Sequence, residues 1–186
     1  MKIAIVGNFS HSLDDPSDRE LKRFIHSFTE RLGKHHTVAY YGEKEDLKNA
    51  TSHQILTTNE LKERQALLKA GKAMAALSIV NKAYVRTLKE IDMENFDIVH
   101  NISDQLAPLA ASSRLSAILV TTLFKTPDKY RVDFMIDNPE IVDSYFCAPT
   151  LGLKNAWKNS VPTLDIAHIP SGSLPMTEEI TLNMGE

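Results

Sequence analysis

Lys2-Ile3-Ala4-Ile5-Val6-Gly7 opens the chain with a short apolar, β-branched run stopped by glycine. A run without polar alternation reads as a strand buried on both faces, as in a parallel sheet. The next segments supply its neighbours. The loop from Asn8 to Pro16 is rich in Asn, Ser, His and Asp, and Ser17 or Asp18 can cap a helix that has Glu20 in its first turn. Leu21, Phe24, Ile25, Phe28 and Leu32 recur at helical spacing, and Gly33 ends the helix. Thr37-Val38-Ala39-Tyr40-Tyr41 forms a second strand closed by Gly42. A strand–helix–strand opening implies a parallel pair joined by a right-handed crossover.

The alternation continues. Residues 43–58 are polar and are left unassigned. A helical region over 59–92 carries Met74, Leu77, Val80, Tyr84, Leu88 and Ile91 on one face, with Gly71 placed to break or bend it. Phe96–Ile102 reads as a third strand, Leu106–Leu115 as a short small-residue helix and Ala117–Leu123 as a fourth strand. Residues 124–138 read as a polar loop with Pro127, and a turn at Asn138-Pro139 leads to a strand near Ser144–Ala148. A short helix over Leu153–Lys158 and a last strand over Thr163–Ile169 complete the series. The fold class is therefore α/β, with a doubly wound, mostly parallel, Rossmann-like sheet. One domain spans residues 1–175, with 176–186 as a tail or the start of a further domain. There is no internal repeat or convincing linker.

At 186 residues, 42% hydrophobic and 24% charged, the chain suits one compact domain. Its net charge of −3 comes from intermixed acids and bases. Nucleic acid is therefore not an expected partner, since it would call for a basic stripe; one anionic pocket remains compatible. The single cysteine, Cys147, excludes an intramolecular disulfide and fits a cytoplasmic setting. It sits in the apolar run Ile141–Ala148 and reads as a buried structural thiol. The N-terminal apolar stretch is too short for a signal peptide, and no stretch approaches the roughly 20 apolar residues of a spanning helix. Membrane contact, if made, would be peripheral.

Ligands of doubly wound sheets sit outside the C-terminal strand ends, at the switch in strand order. That rule selects Asn8, Phe9, Ser10 and His11 after the first strand, and His100, Asn101, Ser103 and Asp104 after the third. It also selects Thr122, Phe124 and Lys125 after the fourth, and Ser171 and Gly172 after the last. The first loop lacks the three glycines of a dinucleotide fingerprint, and no GxxxxGK[ST] phosphate loop is present. His35 and His36 read as turn residues and His26 as a surface or boundary position, with no metal site expected. His11 and His100 are better placed, either for ligand contact or simply to hydrogen-bond a neighbouring loop. Lys125 offers a point charge to a phosphate or carboxylate, or is a solvated loop lysine. Asp14, Asp15 and Asp18 suit turns and capping. The Ser171-Gly172-Ser173 turn either donates backbone N–H groups to an anion or only reverses the chain.

Four segments together resemble the N-terminal, acceptor-side domain of family 4, GT-B-type glycosyltransferases. Met1–Gly7 is similar to the family's opening strand, and Phe96-Asp97-Ile98-Val99-His100 to its "DVVH" strand. Ile118–Phe124 is similar to its "VVTTLHG" strand and loop, and His168-Ile169-Pro170-Ser171-Gly172 to the "VIPNGV" segment that leads into its second domain. The departures are specific. Asn8-Phe9-Ser10 replaces a glycine pair, and Ile102 replaces a second histidine. Phe124 and Lys125 replace "HG", and Ser171 replaces an asparagine. The family's donor-binding domain and its paired glutamates are not in this sequence.

The resemblance implies transfer of a sugar from a nucleotide-sugar to an acceptor hydroxyl. The catalyst of such a reaction must stabilise the departing diphosphate and orient the acceptor. It implies no cofactor within this chain and a nucleotide-sugar donor if a second domain completes the site. The implied partners are a C-terminal donor-binding domain or separate subunit and a sugar or lipid-linked acceptor. The candidate acceptor or phosphate-edge residues are Asn8, Ser10, His11, His100, Asp104, Thr122, Phe124, Lys125, Ser171 and Gly172; no catalytic residue is assigned. The chain alone is expected to be inactive. The replaced glycines and histidines also fit a non-catalytic binding or regulatory protein on the same fold. A different small-molecule enzyme on this scaffold is a third reading, for which no nucleophile–base pair is supplied.

Overall fold

The computed structural model describes residues 1–9 and 16–170. In chain order the strands are β1 (Lys2–Val6), β2 (Thr37–Gly42), β3 (Thr51–Gln54), β4 (Ile98–Asn101), β5 (Ile118–Thr122), β6 (Tyr145–Ala148) and β7 (Ile166–His168). The helices are α1 (Pro16–Leu32), α2 (Thr58–Lys69), α3 (Ala73–Met93), α4 (Leu106–Ala110), α5 (Lys129–Asp137) and α6 (Leu151–Ser160). Short 3-10 turns cover Ser112–Arg114 and Pro139–Asp143. The strands form one sheet in the order β3-β2-β1-β4-β5-β6-β7, and every adjacent pair is parallel. The expected α/β, doubly wound, Rossmann-like fold is the one observed.

Two local features differ from the sequence reading, and a third is the break it allowed at Gly71. The unassigned stretch 43–58 contains β3, whose polar Thr-Ser-His-Gln sequence suits an outer strand with little burial. The stretch read as a polar loop contains α5, which buries only Arg131 and Met135 and starts where the Asp128 side chain accepts from the Arg131 N–H. The long helical region is two helices. Gly71 adopts φ of 70°, and the Gly71 and Lys72 amides bond back to the carbonyls of Leu68 and Leu67. That is the left-handed glycine termination of a helix.

Side-chain alternation along β1 divides the core. Ile3 and Ile5 face α1 and pack with Ile25, Val38 and Tyr40, whereas Ala4 and Val6 face α3 and pack with Val80, Tyr84 and Ile91. On that second face α5 and α6 continue the core through Leu123, Met135, Phe146, Trp157 and Ile166. Each large side chain so buried contributes roughly 1.5–3 kcal/mol.

Strand order explains the unequal covering. The step from β1 to β2 runs one way along the sheet, and every step from β3 to β7 runs the other. Right-handed crossovers therefore put α1 on one face and α2 to α6 on the opposite one. Among the described residues, α1 is the helix of its face, and it stands over the β1–β2–β4 side. Ile118 of β5 and Tyr145 of β6 consequently point outward, 53% and 65% exposed.

Candidate functional site

The reversal in strand order lies between β1 and β4, where a doubly wound sheet opens a crevice at its C-terminal edge. Here the loops after β1, β4 and β5 meet. The Asp104 amide donates to Asn8 Oδ1 at 3.1 Å, and Asn8 Nδ2 donates to Asp104 Oδ2 at 3.4 Å. Lys125 Nζ lies 2.7 Å from Asp104 Oδ2, and Arg131 Nη1 lies 3.5 Å from Asp104 Oδ1. One carboxylate of the β4 loop thus joins an amide of the β1 loop, a cation of the β5 loop and a cation of α5.

Packing holds these groups in place. Arg131 is only 8% exposed. It pairs with Asp128, donates to the Thr126 carbonyl at 3.1 Å and lies 5.2 Å from the Trp157 ring. Trp157 is buried and donates its indole N–H to the Lys125 carbonyl at 2.8 Å. The β4 loop is fixed by Asn101, whose Oδ1 accepts from the Ser103 amide at 3.0 Å and hydroxyl at 2.7 Å.

A second group lies one layer away, on the α1 face of the sheet. His100 stands in register between Ile5 and Val120. Its Nε2 is 2.7 Å from Thr122 Oγ1, which lies 3.0 Å from Cys147 Sγ. The ring meets Phe28 edge-on at 5.2 Å, while Phe124 packs against Phe24 at 5.0 Å. Burial pushes the His100 imidazole down to about 4, so it is neutral at pH 7. Burial likewise raises the Cys147 thiol, opposed by its hydrogen bond with Thr122, and keeps it protonated.

The turn after β1 is occupied by side chains. Tyr84, fully buried on α3, donates its hydroxyl to the Gly7 carbonyl at 2.7 Å. A Cβ on Gly7 would stand 2.6 Å from the Tyr40 hydroxyl oxygen. Phe9 turns inward beside Tyr84, with the Arg64 guanidinium over its ring. Gly7 is thus required by the closeness of Tyr40, and the backbone there is spoken for by Tyr84.

The sequence-selected residues fall into three sets. Asn8, Asp104 and Lys125 come together at the crevice. His100, Thr122 and Phe124 line the α1 face. Ser10, His11, Ser171 and Gly172 lie outside the described residues, as do Asp14 and Asp15. Arg131 and Asp128 escaped sequence reading. The available signal was an aspartate after Pro127 with an arginine three residues on, the pattern of a helix cap. Among the described residues no three His, Cys, Asp or Glu side chains are grouped to hold a metal ion, and no helix is long and apolar enough to cross a membrane.

No family model matches the sequence, and no curated protein is detectably similar to it. Among solved structures, the chain is similar to an α,α-trehalose-phosphate synthase (UDP-forming) from Burkholderia vietnamiensis, with 14% identity and a TM-score of 0.44. The alignment covers 87% of this chain and 42% of that one.

Proposed function

We propose that this chain is the acceptor-side domain of a GT-B-type glycosyltransferase that moves a sugar from a nucleotide-sugar to an acceptor hydroxyl. The observation that carries the reading is Asp104, a carboxylate set at the strand-order switch among Asn8, Lys125 and Arg131. Sugar hydroxyls both donate and accept hydrogen bonds. A fixed carboxylate receives them, and the Asn8 amide and Lys125 ammonium supply donors. Holding an acceptor hydroxyl in this way supplies orientation, the part of catalysis that positioning alone can give. The four resembling segments supply the reaction class.

In this reading the nucleotide-sugar is held by a C-terminal domain or separate subunit across the crevice, and the domain of residues 1–175 is inactive by itself. The donor diphosphate is not cradled by the first turn, where Tyr40, Tyr84 and Phe9 fill the space a glycine-rich loop would leave. Asp104 and Lys125 are binding residues here, and the chain works in the cytoplasm.

The test is reconstitution. Mixed with a separately produced donor-binding domain and a nucleotide-sugar, the chain should release nucleoside diphosphate in step with glycoside formation. Asp104→Asn should lower that turnover about tenfold or more, mainly through KM for the acceptor. Turnover unchanged by Asp104→Asn contradicts the site.

One observation favours the non-catalytic alternative. Phe124, at the position of the family's histidine, packs against Phe24 and has no group to donate or accept. A binding or regulatory protein on this fold would hold saccharide at Asp104 with no transfer under any reconstitution.

A further inference from the structure

The α1 face holds a groove of about 480 Å³, within the roughly 300–1,000 Å³ typical of small-molecule sites. Its floor is His100, Val120, Thr122 and Cys147, and one wall is Phe24 and Phe28 of α1. Arg31 stands along the same wall, seven residues beyond Phe24, which is about 10 Å along a helix.

The chemistry of this lining is selective. Most polar atoms of the floor serve one another, His100 Nε2 with Thr122 and Thr122 with Cys147, which leaves His100 Nδ1 as the ring nitrogen outside those pairs. Among the described residues the buried side-chain atom left without a partner is His36 Nδ1, since Glu43 Oε2 pairs with Lys22 Nζ at 2.9 Å, and neither residue lines the groove. His100 is uncharged at neutral pH. A sugar or an extended peptide laid here would lose water from several hydroxyls or backbone groups and find few replacement bonds. An alkyl chain carries no such penalty and gains by covering the aromatic wall. The lining has one cationic side chain, Arg31, which is exposed and forms no ion pair among the described residues.

We propose that this groove binds the alkyl chain of a single-chain amphiphile whose anionic head, a carboxylate or phosphate, pairs with Arg31. The inference does not rest on the glycosyltransferase reading, because it concerns the α1 face and binding alone.

Cys147 makes the test direct, being the single cysteine of the chain and part of the floor. The intact chain is alkylated with iodoacetamide while dodecanoate, kept below micelle formation, is titrated in. Saturable slowing of Cys147 alkylation is expected, with no slowing by butanoate or glucose. Arg31→Gln, an exposed substitution that leaves the core untouched, should weaken dodecanoate protection about tenfold, the loss of one charge-assisted pair. Monododecyl phosphate should protect like dodecanoate, and relative affinity then shows which head is preferred. Val120→Trp should fill the groove and abolish protection while circular dichroism confirms the fold. An alkylation rate that is measurable without dodecanoate and indifferent to it overturns the proposal, as does an amide-resolved NMR titration in which dodecanoate leaves Val120, Thr122 and Cys147 unshifted. So does equal protection by dodecyltrimethylammonium, or protection that grows with protein concentration alone and marks a second copy as the occupant.

Discussion

His100 Nε2 and Thr122 Oγ1 lie 2.7 Å apart across neighbouring strands, on a sheet face that burial makes hostile to charge. The unfolded chain protonates this histidine near 6.5, whereas the folded chain holds it unprotonated down to about 4. Between those values the unfolded state binds more protons, so acid favours unfolding. The penalty is absent above pH 7, grows below 6.5 and levels off near 4. His100→Gln should remove it. Urea unfolding at pH 7.5 and 5.5 should show the wild type losing about 1 kcal/mol more than the variant. Equal losses would mean that His100 titrates freely.

Gly7→Ala should destabilise the fold by about 1–3 kcal/mol, the range for overpacking. The added methyl meets both the Tyr40 hydroxyl at 2.6 Å and a ring carbon at 2.8 Å. Adding Tyr40→Phe removes only the first contact, so the double variant should recover part of the loss in a thermal melt. Full recovery, or no initial loss, would contradict the described packing.

The α2 cap offers a separate check. Thr57 Oγ1 accepts from the Glu60 amide, and Glu60 accepts from the Thr57 amide and from Arg86. The Arg86 hydrogen bond leads the effects that hold the Glu60 carboxyl down to about 2. Its contribution is present above pH 4.5 and is lost as pH falls through 2. Thr57→Ala should cost about 1 kcal/mol at pH 7, measured by denaturant midpoint. Glu60→Gln should cost a similar or smaller amount at pH 7, since the pair is partly exposed.

Lys125 and Arg131 both touch Asp104, yet their removal should differ. The Lys125 side chain is 49% exposed, and Lys125→Met should change stability by no more than about 0.5 kcal/mol. Arg131 is nearly buried between Asp128, the Thr126 carbonyl and Trp157. Arg131→Met should cost about 2 kcal/mol or more, because it leaves those partners unsatisfied. Thermal melts of the two variants would reveal an inverted ranking if the cluster were organised otherwise.

The parallel sheet was legible because its buried strands are apolar throughout, as Ile3–Val6 and Leu119 show, and because Gly33 and Gly71 punctuate the helices. β3 was hidden, since an outer strand with little burial has no apolar signal to give. α5 was hidden for a related reason, as two buried side chains leave no periodic face. At the crevice, the strand-end rule found Asn8, Asp104 and Lys125. It missed Arg131, which arrives from the following helix and joins the cluster through packing on Trp157. The rule also grouped His100 and Thr122 with the edge, whereas strand pleating turns both toward α1. Alternation along β4 and β5 carries that distinction, but only once the register between them is known.

The central claim is that saccharide binds at Asp104 on the acceptor side of the crevice. The most direct measurement is an amide-resolved NMR titration of the isolated chain with simple glycosides and, separately, with uridine- and guanosine-diphosphate sugars. The account predicts glycoside-induced shifts centred on Asn8, Asp104 and Lys125, lost in Asp104→Asn, and no tight binding of either nucleotide-sugar. Glycoside shifts that spare this cluster, or tight nucleotide-sugar binding by the isolated chain that survives Asp104→Asn, would contradict it.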